Sequence, residues 1–295
     1  MKKIGFVGLG NMGFNMVKNL LKAGFTVNVF DLRKSIMDEL AALGATPCES
    51  LGKVAACSDI VYIMVMSFEQ VQSVALGESG VLASMAPGAT LVVCSTISPA
   101  QTRSIAEEAA KHSVHYVDAP VSGGKDGAIR GTLVIMAACE TDVFESIRDS
   151  LYVMGSNTYH VSDIIGNGQT MKSINQMMIS TGMAIVSEAV TMAVKSGLKP
   201  QQIYEVIGKC TGCSDVFRDK LPLVMNRDFE ARGPIDIFIK DLSIALDIGK
   251  EVKSPMFLSA LTKQVFTWAS ACGYGQQDLG ALIRPYEDAA GILVE

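Results

Sequence analysis

The segment Gly8-Leu9-Gly10-Asn11-Met12-Gly13 constrains this chain more than any other. It follows the apolar run Ile4–Val7 and opens the amphipathic stretch Met12–Ala23. Gly8 permits a tight turn, Gly10 lets a pyrophosphate approach the backbone, and Gly13 lets helix and strand pack closely. The helix start then offers unpaired N–H groups and a positive dipole end to an anion. Asp31 ends the next apolar run, 18 residues past Gly13, near the ~20 expected of an acid that binds a ribose. GxGxxG alone fits any tight strand-to-helix turn. With strand, helix and acid all in place, the segment is expected to bind a dinucleotide through Gly8, Leu9, Gly10, Asn11, Met12, Gly13 and Asp31.

A carboxylate at position 31 accepts hydrogen bonds from ribose hydroxyls and repels a 2′-phosphate, so NAD is favoured over NADP. Arg33 and Lys34 stand beside it. An arginine there can hold a 2′-phosphate, though both residues also fit a solvated helix start.

Apolar runs recur at Val27–Phe30, Ile60–Val65, Thr90–Cys94, Val114–Val117 and Leu133–Ala137, with helical patterns such as Ser35–Leu43 and Ala100–Lys111 between the earlier ones. This alternation predicts an α/β fold with a Rossmann-type, doubly wound, mostly parallel sheet. The closely spaced strands around 114–138 are expected to pair antiparallel at one edge. From residue 169 helix signals follow almost without pause: 169–196, 200–208, 214–226, 237–252, 257–272 and 278–290. The first would be ~40 Å long at 1.5 Å per residue. The expected organisation is a nucleotide-binding domain over 1–163 and an all-α domain over 164–295, joined by the long interdomain helix at a hinge near 161–168.

Among 295 residues, 25 basic and 30 acidic side chains leave a net charge of −5, which argues against a nucleic-acid surface. The mean hydropathy of +0.31 is high. The longest apolar stretch, Met177 to Val194, is interrupted by Ser180, Thr181, Ser187, Glu188 and Thr191. A membrane span wants about 20 largely apolar residues, so no membrane association is expected. A homodimer or homotetramer burying helical surface accounts for the hydropathy instead. Seven scattered cysteines read as reduced thiols in a cytoplasmic protein. Cys210 and Cys213 form a lone CxxC without further ligands, so no metal is expected. His112, His115 and His160 sit in no catalytic pattern and read as structural.

Two more blocks carry polar residues. Asp118–Thr132 holds Ser122 and four glycines in nine positions, which predicts an exposed loop whose N–H groups could cradle a small carboxylate. A long hairpin connection would look the same. Gly166–Gln176 places Lys172 near the start of the long helix, with Asn175 and Gln176 on its face. By position alone, Lys172 would simply snorkel to solvent.

Taken together and in order, VGLGNMG, DAPVSGG with GAIRGTL, GNGQTMKSINQ and Ile239-Lys240-Asp241-Leu242 resemble the β-hydroxyacid dehydrogenase family. That family includes 3-hydroxyisobutyrate and L-threonate dehydrogenases and the tartronate semialdehyde and glyoxylate/succinic semialdehyde reductases. The stretches Ile235–Leu242 and Ala271–Gly275 look most like the L-threonate branch. The resemblance implies Lys172 as the catalytic lysine and Ser122, Gly123 and Gly124 as the loop for the substrate carboxylate. It implies Thr96 near both nicotinamide and substrate, Val65 and Met66 on the cofactor, and Lys240 reaching the cofactor from the C-terminal domain. The family often has two asparagines after the lysine; here the pair is Asn175-Gln176, expected to touch substrate. Substrate would sit in an interdomain cleft.

Lysine suits hydride transfer, because the alcohol must lose a proton as the hydride leaves. Partial burial and a nearby cation would bring the amine toward working pH. The resemblance leaves open an NADPH-dependent glyoxylate/succinic semialdehyde reductase and an inactive NAD-binding scaffold.

Overall fold

The computed structural model describes residues 2–295. The chain packs as two compact units that divide at Lys172/Ser173.

The first unit runs β1 (Ile4–Val7), α1 (Gly13–Lys22), β2 (Val27–Phe30), α2 (Lys34–Ala41), β3 (Thr46–Pro47), α3 (Leu51–Ala56), β4 (Ile60–Ile63), α4 (Phe68–Leu76), β5 (Thr90–Val93), α5 (Pro99–Lys111), β6 (His115–Asp118), β7 (Val121–Ser122), α6 (Gly124–Arg130), β8 (Val134–Ala138), α7 (Thr141–Met154) and β9 (Asn157–Ser162). The sheet order is β3-β2-β1-β4-β5-β6-β8-β7, with β9 beside β8. Strands β1 to β6 pair parallel, and β8 pairs antiparallel with β6 and β7. The expected antiparallel edge is therefore present, and it carries one further parallel strand, β9.

Alternation of side chains explains why these strands are apolar throughout. On β4, Ile60 and Tyr62 enter one core with Leu9, Met16 and Leu20, while Val61 and Ile63 enter the other with Val54, Val71 and Ile105. Both faces are covered by helices, so both parities must be apolar.

One segment departs from the sequence expectation. Asp118–Thr132 is not a loop but a short strand followed by a helix, α6. Two glycines inside α6 hide it from propensity reasoning, and packing overrides them. The buried Gly127 lies against Leu133, and the Ala128 carbonyl accepts a 2.7 Å hydrogen bond from Asn19 Nδ2 on α1.

Helix α8 (Asn167–Lys195) spans the division. Beyond it the second unit holds α9 (Pro200–Ile207), α10 (Asp215–Met225), α11 (Ile235–Glu251), α12 (Phe257–Ala269) and α13 (Arg284–Ala290). The helix expected over 257–272 turns π-helical at Ser270–Tyr274, where Gly273 takes φ 91°. The helix expected over 278–290 begins as a 3₁₀ turn, Leu279–Ile283, capped by Asp278. Met183, Val190, Phe217, Leu221, Leu242 and Phe266 form this unit's core.

By length and composition α8 could cross a membrane. However, Gln169, Lys172, Ser173, Gln176, Ser180, Ser187 and Thr191 on it are buried, as in a core helix with polar anchors. Its exposed apolar residues are Met171, Ile174, Met178, Ile185 and Met192. Spacings of three, four, seven and seven put them on one face.

Two buried carboxylates pin the second unit. Lys220 Nζ reaches Asp278 at 2.8 Å, and Arg227 grips Glu287 bidentately at 2.6 and 3.0 Å. Glu287 is 2% exposed and also accepts from the Val294 N–H. Arg227→Ala would strand that carboxylate, so it should lower unfolding free energy by about 3 kcal/mol, the lower end for a broken buried pair because Arg227 is partly solvated. Arg227→Lys keeps the charge but loses the fork, and should fall between. Denaturant unfolding of both variants checks this; wild-type midpoints would contradict it.

Candidate functional site

Strands β1, β2, β4, β5 and β6 run parallel, so their C-terminal ends share one edge of the sheet. On that edge lie Gly8 after β1, Asp31 after β2, Met64–Met66 after β4, Cys94–Ile97 after β5 and Asp118 ending β6. Successive connections leave in opposite directions from β1 and β4, and ligands bind outside the strand ends at such a switch point.

At β1 the chain turns at Gly8, with φ 91° and its N–H on the Phe30 carbonyl. A Cβ on Gly13 would collide with the Gly8 carbonyl and the Phe6 ring, so helix and turn approach as closely as backbone allows. Gly10 faces open space. Helix α1 has Met12 at its N-cap with no side-chain cap and no acid in its first turn. An uncapped, acid-free helix start beside an open glycine fits a pyrophosphate.

Asp31 aims at the same turn, accepting the Leu9 N–H at 2.7 Å. Burial opposes its ionisation, but hydrogen bonds from Arg33 and Leu9 outweigh it and hold the carboxyl below its ordinary value. The Arg33 guanidinium is engaged with Asp31, its Nε 3.0 Å away. These residues fit a dinucleotide, with phosphates at the turn and ribose at Asp31.

The next turns are tied together. Ser95 Oγ accepts the Val65 N–H at 2.9 Å and donates to the Val65 carbonyl at 2.8 Å. Met66 is exposed, its N–H on Gln70. Thr96 is half-buried between buried Ser95 and Ile97.

Gln169, on the first turn of α8, is fully buried. Its Nε2 donates to the Ser95 carbonyl at 3.1 Å and to Asp118 Oδ1 at 2.7 Å, and its Oε1 accepts the Ile97 N–H at 3.1 Å. Asp118 Oδ2 accepts the backbone N–H groups of Gly166 and Gln169 at 3.2 and 3.1 Å. Burial pushes the Asp118 carboxyl up to about 6, against the pull of these donors. Lys172 follows one helical turn after Gln169 and is only 8% exposed, so it does not snorkel to solvent. Ser122 is half-buried, and Gly123 and Gly124, both with positive φ, are exposed at the start of α6.

In the second unit, Gln176 Nε2 donates to Asp241 Oδ2 at 2.6 Å, while its Oε1 accepts from Asn175 Nδ2 at 3.0 Å. Lys240 Nζ lies 2.9 Å from Asp241 Oδ1. The Gln176 amide is thus engaged at both ends, and it orients Asn175. Asp241 serves both Gln176 and Lys240.

Ser95, Asp118, Gln169 and Asp241 were not singled out from the sequence, although the last three lie inside the blocks that carry the resemblance. His160 Nε2 lies 2.7 Å from the Cys139 carbonyl, and the ring stacks on Phe144. Cys210 and Cys213 are free thiols. Among the described residues, no cluster of three or more His, Cys, Asp or Glu could hold a metal.

Comparison with known proteins gives a consistent picture. Residues 3–162 match the NAD-binding domain of 6-phosphogluconate dehydrogenase, and residues 166–286 match the NAD-binding domain of NADP-dependent 3-hydroxyisobutyrate dehydrogenase. The chain is 41% identical to 2-(hydroxymethyl)glutarate dehydrogenase of Eubacterium barkeri, over 99% of this chain and 97% of that protein. It is 32% identical to L-threonate dehydrogenase of Cupriavidus necator, over 96% and 95%. A crystal structure of 3-hydroxyisobutyrate dehydrogenase from Salmonella typhimurium superposes with a TM-score of 0.89 at 33% identity, covering 96% of this chain and 99% of that one. With a nucleotide-binding turn, a buried helix-borne lysine and relatives matched end to end, the chain belongs to the β-hydroxyacid dehydrogenase family, oxidoreductases that act on CH–OH groups with a nicotinamide dinucleotide.

Proposed function

We propose that this protein oxidises the alcohol of a short hydroxycarboxylic acid with NAD, using Lys172 as general acid–base. The observation that carries the reading is the burial of Lys172 one turn after Gln169, where the bland alternative requires a solvated amine. The dinucleotide supplies the hydride acceptor. Residues Gly8–Gly13 and Asp31 hold it, with Val65, Met66, Thr96 and Lys240 as further contacts. The Ser122 hydroxyl and the N–H groups of Gly123 and Gly124 hold the substrate carboxylate, with Asn175 and Gln176 on the Lys172 side. The Lys172 amine takes the hydroxyl proton in oxidation and returns it in reduction, and its donor stabilises the developing alkoxide. The domain assignment is 1–163 for nucleotide and 164–295 for substrate and self-association.

The relatives frame the substrate class. 2-(Hydroxymethyl)glutarate and 3-hydroxyisobutyrate both carry CH₂OH on the carbon that bears a carboxylate. We expect the same unit here, with L-threonate and glycerate as further candidates. All seven cysteines are free, which suits a reducing, cytoplasmic setting. The apolar face of α8 (Met171, Ile174, Met178, Ile185, Met192) is assigned to a second copy of the chain.

Reduction of NAD should be detectable with at least one acid from a panel of 2-(hydroxymethyl)glutarate, 3-hydroxyisobutyrate, L-threonate, glycerate and 4-hydroxybutyrate. Lys172→Ala should bind NAD normally and lose ~10²–10⁴-fold in kcat. Near-normal turnover in that variant would remove the assignment. The ionised Asp31, with Arg33 engaged on it, should give a higher kcat/KM with NAD than with NADP. The reverse preference would favour a glyoxylate/succinic semialdehyde reductase. Light scattering at micromolar concentration should report a dimer or tetramer, and a monomeric mass would refute the α8 assignment.

A further inference from the structure

We infer that Gln169 is a positioning residue for catalysis: its one buried amide fixes Thr96 and Lys172 relative to each other. The inference rests on the Lys172 reading above.

Gln169 grips the chain on both sides of Thr96. Its Nε2 donates to the carbonyl of Ser95, and its Oε1 accepts the N–H of Ile97. Thr96 is the partly exposed residue of that turn, so its side chain is presented by a backbone locked at the residues before and after it. Ser95 extends the lock through its hydroxyl to both backbone groups of Val65. The turns after β4 and β5 therefore move as one.

Gln169 is also fixed from below. Asp118 Oδ1 takes the second hydrogen of Nε2, and Asp118 Oδ2 takes the N–H groups of Gly166 and Gln169 itself. Helix and amide are thus held by one carboxylate. Gly168 is what allows this approach, since a Cβ there would meet the Met136 carbonyl and Asp118 Oδ2 at 2.6 and 2.8 Å. Lys172 rides three residues further along the same helix, which puts it on the Gln169 face. The line Val65–Ser95–Gln169–Asp118 sets where the amine stands relative to Thr96 and the cofactor turn.

A shared carboxylate makes the role testable with two variants. Gln169→Met keeps length and burial but removes all three hydrogen bonds. Displacement of a reacting group by ~1 Å costs on the order of 10²-fold in rate, so kcat should fall by about that factor while NAD affinity and substrate KM stay close to wild type. Gln169→Glu can donate to Asp118 and accept from Ile97 only while the two carboxyls share a proton. Asp118 already sits at about 6 in the native protein, raised by burial. Its titratable neighbours Cys94 just past β5, Tyr116 on its own strand β6 and Cys139 just past β8 are pushed up, the two thiols to about 12 and the phenol well above its ordinary value. None of these three titrates below neutrality. With Lys172 the next ionisable group along α8, the Gln169→Glu rate relative to wild type should rise as pH falls.

Steady-state kinetics of both variants from pH 6 to 9, alongside amide exchange at Ile97, decides the matter. Faster Ile97 exchange, a kcat-selective loss in Gln169→Met and a pH-rescued Gln169→Glu support the role. A folded Gln169→Met with wild-type kcat, or a Gln169→Glu ratio flat with pH, overturns it. If the wild-type enzyme itself turns over no hydroxy acid, the functional reading fails separately, and unchanged Ile97 exchange would still overturn the clamp.

Discussion

A helix that begins inside a protein must hand its first N–H groups to something, and here the recipient is Asp118. The start of α8 is buried at Gly166, Gly168 and Gln169, so water cannot satisfy those donors. A carboxylate at a helix N-terminus accepts them and also meets the positive end of the helix dipole. Because Asp118 is the last residue of β6, this contact fixes α8 to the sheet edge that carries the nucleotide-binding turn. Lys172 inherits its place from that anchor.

The local parts of this arrangement were legible in the sequence. The Gly8–Gly13 turn declares itself because each glycine answers a steric demand within a few residues of it: a positive φ, an open approach, a collision avoided. Asp31 was legible for a similar reason, since it ends the adjacent strand. The parts that could not be read are those whose partners lie far along the chain. Gln169 meets Ser95, Ile97 and Asp118, more than fifty residues away, and nothing in its neighbourhood distinguishes it from a solvent-facing glutamine. Helix α6 was misread as a loop because its glycines speak for flexibility, while its reason to be helical is packing against Leu133 and Asn19.

Gln176 shows a subtler limit. Its position after Lys172 implies substrate contact, and spacing alone does not show what else its side chain reaches. The extra methylene carries its amide to Asp241, and Asn175 leans on it. Asp241 in turn pairs with Lys240. A longer side chain at this point thus links two of the family's positions through a carboxylate.

Three of the most buried carboxylates are compensated in two different ways, and the difference follows their places in the fold. Asp278 and Glu287 are met by Lys220 and Arg227, charge against charge, far along the chain from the nucleotide turn. Asp118 is met by hydrogen-bond donors from Gly166 and Gln169, all neutral amides. A cation in their place would add a fixed positive charge one helical turn before Lys172. Neutral amides are directional and do not titrate, so they add no charge at the start of α8. Burial raises the Asp118 pKa to about 6, and the neutral donors pull it only partway back. The anchor of α8 is thus one carboxylate and a set of neutral donors, placed one helical turn before Lys172.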